Sequence, residues 1–566
     1  MESNPMAISA ADTWWSNGII YQIYPLTFAD GNGDGIGDLQ GILQRLDYLN
    51  DGDPSSPTSL NVDAIWLSPI NASPMVDNGY DVSDYRDICP TFGTLEDFDQ
   101  LLAAAHDRNI RIILDLVVNH TSNQHPWFQE SMASRDNPKA DWYLWQEPLP
   151  GRELPNNWQS YFGGSGWTYS KQRDQFFFHT FNQNQPDLNW QNPQVRQAVY
   201  DVIRFWMDRG VDGLRLDASS SYSKDPYFRD NPFKYGATDK NDYNNYHHLY
   251  DKNLPENHDI IREIRAVLDE YDGDRLLIGE TFIDNRLYDS VVFYGVDDDE
   301  LHLPLTFEFP FSPWYPGYLQ REIEKKEKVT PPWGWPCYFL DNHDIPRHLS
   351  RWIECSLCVD SVAIAKAAAT LLLTVRGTPI LYYGQELGMV DNPDIPPDRL
   401  RDQAIHASSD APPRDGARTP MQWDESPQAG FSGGKDTQPW LPVHPNYGVL
   451  NVEKSLADPH SILNFYRRLI QLRRQSSALR LGSWRPLLNY PHEHMVYLRE
   501  TDADTVLVAI NFSYQKPLSV DHPLQREGWT VLLSTDYETG QDMDIPEKLE
   551  PFEVSIWQKK WAYPMP

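Results

Sequence analysis

The sequence predicts an α/β fold: a (β/α)8 TIM barrel with an inserted loop domain after strand 3 and a C-terminal all-β sandwich domain. Three observations lead to this prediction. Short apolar, β-rich runs alternate eight times with amphipathic helical segments. Residues 121–190 interrupt the alternation with a stretch rich in Asn, Gln, Pro and Trp, typical of a long inserted loop. Beyond about residue 485, alternating strands follow one another without helices.

The eight predicted strands are recognised by composition, because each is short, apolar and bounded by polar or turn residues. They begin at Ile19, Val62, Arg111, Val211, Arg275, Leu303, Cys337 and Thr378. Between strands, residues 95–109 place apolar side chains on one face of a helix. A second helix is predicted for residues 193–209, with Asn192 as its N-cap and Gly210 just past its end.

These patterns divide the chain into four consecutive segments. We expect the first part of the barrel in 1–120, the inserted domain in 121–190, the second part of the barrel in 191–485 and the C-terminal β domain in 486–566. Another long excursion, 219–258, follows the fourth strand and is expected to form a further wall of any site at that end of the barrel.

Composition excludes several classes of partner. A formal net charge of −33 would repel nucleic acid and anionic membrane surfaces, so neither is expected as a partner. The N-terminus lacks a basic stretch followed by an apolar run, and no apolar stretch of about 18 residues follows, so we expect a cytoplasmic protein without membrane spans. Packing accounts for most of the 20 Trp and 30 Tyr.

Carboxylates end three of the predicted strands. Asp217 ends the fourth strand, Glu280 ends the fifth, and His343 and Asp344 end the seventh. Any one of these could cap a strand or form a salt bridge. Three of them at matching ends, with Arg215 two residues before Asp217, favour a catalytic site, because buried carboxylates are costly unless they are paired or used.

Longer motifs around these residues carry a resemblance to a known family. They are DLVVNH (115–120), GLRLD (213–217), GE (279–280) and LDNHD (340–344). The chain resembles the α-amylase family of glycoside hydrolases, family 13. QPDLN (185–189) and RDGARTPMQWD (414–424) resemble its α-glucosidase and oligo-1,6-glucosidase branch. The similarity extends over nearly the whole chain.

The resemblance implies a two-step mechanism with retention of configuration. Asp217 would be the nucleophile, and Glu280 would protonate the leaving oxygen and later activate water. Asp344 would bind sugar hydroxyls and favour the distorted transition state. Arg215 would hold Asp217 ionised, because an adjacent cation favours the charged carboxylate.

The same resemblance implies a set of substrate-binding residues. Asp77 and Arg414 would pair across the pocket and close it behind the terminal glucose, so that the enzyme acts from chain ends. Tyr80 would be the aromatic platform for that glucose, and Phe181 and Gln185 would lie near the scissile bond. The remaining members of the set would hydrogen-bond hydroxyls of the innermost glucose; they are His120 and His343.

A calcium-binding loop is predicted near the N-terminus. DGNGDGIGD has the Asp-x-Asn-x-Asp-Gly spacing that presents oxygen ligands around a glycine-rich turn. The ion would be structural, with magnesium as the alternative, and no organic cofactor is expected. An unoccupied glycine-rich turn is the competing interpretation. The predicted ligands are the side chains of Asp30, Asn32, Asp34 and Asp38 and the carbonyl of Ile36.

Together these features predict an exo-acting α-glucosidase that releases glucose from maltose and short malto-oligosaccharides, with sucrose as a further candidate substrate. Ala218, next to the nucleophile, predicts a preference for α-1,4 links, because in the family a valine there accompanies α-1,6 activity. The leading alternative is a glucosyl-transferring isomerase of the trehalose synthase or sucrose isomerase type. An oligo-1,6-glucosidase and a phosphate-using enzyme are further alternatives. A non-catalytic transporter subunit would lack some of the three carboxylates.

Overall fold

The computed structural model describes residues 13–281, 291–355, 360–402, 413–434, 437–488, 493–519 and 526–560. Within them, eight parallel strands form one sheet, and all eight predicted strands belong to it. In chain order, β1 to β8 are Ile20–Ile23, Ala64–Leu67, Arg111–Leu116, Gly213–Leu216, Leu276–Glu280, Leu303–Leu305, Cys337–Phe339 and Thr378–Tyr382. Their hydrogen-bonded order is β6-β5-β4-β3-β2-β1-β8-β7.

The two edges of this sheet, β6 and β7, lie side by side. The Cys337 thiol on β7 donates to the carbonyl of Pro304 on β6 over 3.3 Å. The buried ammonium group of Lys326 spans the same seam, donating to the Cys337 carbonyl over 2.6 Å and to the Thr306 hydroxyl over 3.0 Å. Hydrogen bonds of side chains therefore join β6 to β7, the shortest strands, and close the barrel.

Alternation along the strands separates two apolar layers. Ile20, Trp66, Ile113 and Ile380 belong to a cluster of buried side chains inside the barrel. Their strand neighbours, such as Ile65, pack outward in the large cluster that also includes the surrounding helices. Because these side chains fill the interior of the barrel, a site is expected at the ends of the strands.

The helices follow the strands as the alternation predicts. The predicted Asn192 N-cap is confirmed, since its side chain accepts the Gln194 N–H. In the helix that begins at Leu95, Thr94 and Asp97 form a capping box that the sequence prediction did not include. The helices around the barrel are Leu39–Gln44, Leu46–Leu49, Leu95–Asp107, Pro193–Asp208, Pro255–Leu268, Pro316–Val329, His348–Cys355, Ser361–Thr374, Val452–Ala457, Ile462–Gln475 and Ser477–Leu481.

The segment between β3 and the helix Pro193–Asp208 is more ordered than a loop. It contains the helix Pro126–Ala133 and a three-stranded antiparallel sheet of Trp145–Gln146, Gln175–Phe178 and Trp167–Ser170. This insertion contacts the excursion after β4, where the Trp158 indole N–H donates to the Arg229 carbonyl over 2.8 Å. Both segments therefore stand over the same end of the barrel.

The C-terminal part of the chain is an antiparallel β domain, as predicted. Its six-stranded sheet has the order Ser483–Pro486, His494–Glu500, Asp504–Asn511, Val554–Lys560, Trp529–Ser534 and Asp542–Met543. A second sheet pairs Leu518–Ser519 with Lys548–Leu549. Buried Arg499 ties this domain to the barrel helices by donating to the Thr374 carbonyl over 2.6 Å. No helix in the described ranges is both long and apolar enough to cross a bilayer.

Candidate active site

One guanidinium group joins three carboxylates at the ends of neighbouring strands. Arg215 on β4 donates through one terminal nitrogen to Asp115 over 2.8 Å and to Asp217 over 2.7 Å. Its other terminal nitrogen donates to Glu280 over 2.8 Å. Parallel strands bring these residues together, because their carboxyl ends lie at one end of the barrel. Asp115, which ends no predicted strand, was missed as a site residue although it begins the DLVVNH motif.

Three buried carboxylates surround a single cation, so their negative charges are not fully balanced. The cluster therefore favours a protonated carboxyl. Burial raises the pKa of Asp217 to about 7, with Arg215 opposing the shift. Burial also raises the pKa of Asp115 to about 6, again against Arg215. The pKa of Glu280 is raised by burial and by the negative charges of Asp217 and Asp344, with Arg215 opposing. A raised pKa suits Glu280 as the general acid, whereas for Asp217 burial outweighs the predicted effect of Arg215 in favouring the ionised form.

Each of the two predicted catalytic carboxylates has one oxygen held and the other available. Glu280 Oε2 accepts from Arg215 and from the backbone N–H of Ala218 over 3.1 Å. Asp217 Oδ1 accepts from Arg215. Within the described ranges, no hydrogen bond is formed by Glu280 Oε1 or Asp217 Oδ2. The two groups can therefore act on a substrate without giving up the bonds that orient them.

Asp344 has a different environment and a different charge state. Burial would raise its pKa, but His343, Arg414 and Arg418 hold the pKa of Asp344 well below its usual range. The guanidinium groups donate to its Oδ1 over 2.8 Å from Arg414 and 3.1 Å from Arg418. Asp344 therefore favours the ionised form beside two carboxyls of raised pKa. Arg418 was not among the predicted site residues.

The residues predicted to pair across the pocket, Asp77 and Arg414, lie together. Arg414 donates to Asp77 over 3.3 Å, and the Gln185 amide donates to the other oxygen of Asp77 over 3.0 Å. Arg414 also donates to Asp402 through two nitrogens, over 2.7 and 2.9 Å. Asp402 was missed, because no motif marks it. The Arg414 guanidinium thus connects Asp77, Asp344 and Asp402.

Aromatic and imidazole rings form the floor beside these charges. The Tyr80 hydroxyl donates to Asp115 over 3.0 Å, and its ring stacks on His343 with centroids 5.2 Å apart. His120 lies within 2.9 Å of the Tyr80 carbonyl through Nε2 and contacts Phe181 edge to face at 5.3 Å. The fold therefore gathers all eleven predicted catalytic and substrate-binding residues into one connected network.

Ala218 has an unusual backbone. It is 8% exposed and has a φ of +46°, in the left-handed region that non-glycine residues rarely adopt. This conformation turns the chain sharply after Asp217, and Ser221 closes the turn by donating to the Ala218 carbonyl over 2.8 Å. The turn aims the Ala218 N–H at Glu280.

The acidic side chains of the Asp30–Asp38 loop hold the loop's own backbone. Asp30 accepts the N–H groups of Gly33 and Gly35 over 2.6 and 2.8 Å, and Asp38 accepts that of Gly41 over 2.6 Å. No group of three or more His, Cys, Asp or Glu side chains in the described residues is arranged to hold a metal ion. The predicted ligand set contains three such residues, and in this structure the carboxylates of Asp30, Asp34 and Asp38 accept backbone N–H groups.

Comparison with known proteins agrees with this architecture. Residues 22–482 match the family model for the α-amylase catalytic domain. The chain is 37% identical to an oligo-1,6-glucosidase of Parageobacillus thermoglucosidasius, over 96% of this chain and 99% of that protein. It is 43% identical to a Rhizobium meliloti (strain 1021) protein described as "Probable alpha-glucosidase", over 83% of this chain and 84% of that one.

Solved structures share the fold over almost the full length. The α-glucosyl transfer enzyme XgtA has a TM-score of 0.86 and 36% identity, with 97% of this chain and 100% of that chain covered. A mutant of the trehalulose synthase MutB, in complex with Tris, has a TM-score of 0.85 and 34% identity, covering 96% and 100%. On the family match and these identities, the chain belongs to the α-amylase family of glycoside hydrolases.

Proposed function

We propose that this protein is a retaining, exo-acting α-glucosidase that releases glucose from the non-reducing end of short α-glucosides. The observation that carries the proposal is the arrangement around Arg215, which holds Asp217 and Glu280 by adjacent nitrogens while one oxygen of each stays available. Holding both carboxyls on one guanidinium favours the short separation, about 5 to 5.5 Å, of retaining enzymes.

In the first step, Asp217 Oδ2 attacks the anomeric carbon, and the bond from that carbon to the glycosidic oxygen breaks. Glu280 gives its proton to the departing oxygen, and a glucosyl ester forms on Asp217. In the second step, the Glu280 carboxylate takes a proton from water, whose oxygen attacks the same carbon and breaks the ester. Asp344, ionised throughout, stabilises positive charge that develops on the ring.

Attack from chain ends is supported by the bonds of Arg414 to Asp77 and Asp344. A pair joined in this way would close the pocket on the side away from the leaving group and leave space for one glucose unit. Maltose and short malto-oligosaccharides are the proposed substrates, with sucrose as a further candidate. The small methyl group of Ala218 leaves room beside the reacting bond for a 4-linked sugar.

A glucosyl-transferring isomerase is the second candidate, and the likeness to an α-glucosyl transfer enzyme and to a trehalulose synthase favours it. Such an enzyme forms the same glucosyl ester but transfers glucose to a sugar. Incubation with maltose, isomaltose, sucrose and trehalose, followed by product identification, separates the two. Free glucose as the main product supports the hydrolase, whereas an isomeric disaccharide supports the transferase.

We further propose that Ca²⁺ binds the Asp30–Asp38 loop as a structural ion, with Mg²⁺ as the alternative. The donor set is all oxygen, which hard divalent cations prefer. The proposed ligands are the side chains of Asp30, Asn32, Asp34 and Asp38 and the carbonyl of Ile36. The ion would link the strand β1 side of the barrel to the segment around Thr437, whose hydroxyl donates to the Gly33 carbonyl over 2.9 Å.

A further inference from the structure

Gln22 is a polar residue in an apolar strand. It lies on β1, where the other residues are Ile20, Tyr21 and Ile23, and it is fully buried. Ile20 packs inside the barrel. Side chains two residues apart share one face of a strand, so Gln22 belongs to the interior layer nearest the candidate site. A buried amide lowers stability unless its groups are hydrogen-bonded, so the partners of Gln22 indicate its role.

The amide nitrogen of Gln22 lies against the imidazole ring of His343. This nitrogen is 2.8 Å from Nδ1 of the ring. The other ring nitrogen, Nε2 of His343, is 3.0 Å from Asp344 Oδ2. The same nitrogen is 2.6 Å from the Tyr80 hydroxyl, whose own proton is donated to Asp115. The imidazole therefore joins the buried amide of Gln22 to the anionic side of the candidate site.

These contacts select one protonation state of His343. Ionised Asp344 can only accept a hydrogen bond, so Nε2 of His343 must carry a proton. The Gln22 amide nitrogen can only donate, so Nδ1 must carry none. The reversed amide would point two N–H groups to the place of the Gln22 oxygen, which has no hydrogen-bond partner in the described part of the chain. A neutral imidazole protonated on Nε2 therefore satisfies both neighbours.

The charges around His343 agree with a neutral ring. Burial has the largest effect and lowers the pKa of His343. The negative charge of Asp344 opposes this shift, whereas the positive charges of Arg418 and Arg215 add to it. The Arg418 side chain also donates to the His343 carbonyl over 2.7 Å. The other rings packed against the imidazole are those of Tyr24, Trp66 and Tyr80.

We propose that Gln22 is a positioning residue for the glycosidase reaction, which fixes His343 as a neutral imidazole with its proton on Nε2. The inference rests on the proposed function, in which His343 and Asp344 contact the innermost glucose. Positive charge develops on that sugar ring in the transition state, so an imidazolium beside it would oppose the reaction. A neutral N–H can bond Asp344 or a sugar hydroxyl without this penalty. Gln22 thus controls a charge beside the substrate without contacting the substrate.

Nitrogen NMR of protein labelled with ¹⁵N in its histidine rings tests the protonation state directly. The spectrum of His343→Asn identifies the His343 signals. At about pH 6, where a free imidazole is mostly protonated, we expect His343 to have a protonated Nε2 and an unprotonated Nδ1. A protonated Nδ1 in the unmodified protein would overturn the proposal. This spectrum decides the protonation state even if a Gln22 variant fails to fold.

Gln22→Glu replaces the donor by an acceptor of the same shape. Imidazole is a stronger base than a carboxylate, with pKa values of about 6.5 and 4.3, so Nδ1 of His343 should gain a proton. We expect kcat to fall at least about 10-fold on both maltose and α-glucosyl fluoride, with KM changed less than about 3-fold. Both substrates share the glucose ring beside the new charge. Unchanged His343 signals or an unchanged kcat would contradict the positioning role.

Gln22→Met removes the donor at similar size and adds no charge. Nδ1 of His343 is then no longer blocked from protonation, so the kcat of the variant relative to the unmodified protein should fall as pH decreases from about 8 to about 5. A loss of packing alone would lower this ratio equally at every pH. A ratio that stays constant across this range would therefore also overturn the role.

Gln385→Met is the matched control. Gln385 is also fully buried, and its amide donates to the Tyr466 hydroxyl over 3.0 Å rather than to a residue of the candidate site. This variant should lose stability as Gln22→Met does, with a kcat ratio that is constant across pH. If the unmodified protein cleaves neither maltose nor α-glucosyl fluoride, the proposed function fails, whereas NMR still decides the state of His343.

Discussion

The backbone N–H of Ala218 donates to Glu280 Oε2 over 3.1 Å. The residue that follows the proposed nucleophile thus helps to orient the proposed acid/base, and the bond depends on the left-handed conformation of Ala218. This turn therefore affects the orientation of the two carboxyls, their charge and the linkage preference. Variants of Asp217, Glu280, Asp344 and Ala218 separate these effects.

Asp217→Asn and Glu280→Gln should each abolish most hydrolysis of maltose while the protein stays folded. Losing the general acid should cost roughly 10²- to 10⁴-fold, and losing the nucleophile at least as much. With α-glucosyl fluoride, Glu280→Gln should still release a burst of about one fluoride per protein, because fluoride leaves without a proton and the ester then accumulates. Asp217→Asn should give no burst. A product of inverted configuration, followed by NMR, would exclude the mechanism.

Asp217→Asn should also stabilise the protein at alkaline pH. The folded-state pKa of Asp217, about 7, lies above its unfolded value of about 3.9, so folding binds a proton between them and stability falls as pH rises. Asparagine carries no charge, so the variant should gain roughly 1 to 3 °C in Tm at pH 8 and little at pH 4. Thermal scans at both pH values measure this difference.

Asp344→Asn should change the stability at alkaline pH in the opposite direction to Asp217→Asn. The pKa of Asp344 is held well below the unfolded value, so its stabilising effect is present above about pH 4 and lost as pH falls through the folded value. This variant should therefore lower Tm at pH 8. Equal Tm changes for the two variants would contradict the assigned environments.

Ala218→Val should shift the ratio of maltose to isomaltose activity toward isomaltose. The unmodified protein should prefer maltose, and the added methyl groups should change the preference by about 1 to 3 kcal/mol. A β-branched residue at a φ of +46° is strained, so the variant should also unfold at a lower temperature. Ala218→Gly, which tolerates this φ, controls for strain. A marked preference of the unmodified protein for isomaltose would refute the linkage argument.

Removal of divalent cations should lower Tm. A ligand present at 100 times its Kd stabilises the folded state by about 2.7 kcal/mol. Chelation should therefore lower Tm, and adding Ca²⁺ back should restore it. Asp34→Ala should abolish the response. Asp53→Ala, in another exposed acidic turn, should leave it intact. An unchanged Tm after chelation, with metal content unchanged or undetectable, would count against the site.

Asp402→Asn tests whether the pocket wall depends on a residue outside the motifs. Asp402 holds Arg414 through two nitrogens, and the neutral amide would let Arg414 shift away from Asp77 and Asp344. We expect KM for maltose to rise about 10-fold with kcat changed less than about 3-fold, because the closed end binds substrate without touching the reacting bond. Asp398→Asn, at an exposed position nearby, should behave like the unmodified protein.

The sequence by itself determined the order of the barrel strands and the placement of Asp217, Glu280 and Asp344. Strand periodicity is local, and parallel strands present their carboxyl ends together, so residues at those ends can be assigned to one site before any coordinates exist. The motifs added the substrate-binding residues, because their spacing within each motif is also local.

Only the tertiary structure decided which charged side chains contact one another. Asp115 meets Arg215 across 100 residues, because the two are paired in register on the adjacent strands β3 and β4. Arg418 meets Asp344 across 74 residues by packing that leaves no local pattern. The left-handed turn at Ala218 likewise includes a long-range contact, with Glu280. The direction of a side chain, its burial and the pKa of a buried carboxyl depend on the whole environment of the folded chain. For that reason they could not be predicted from neighbouring residues.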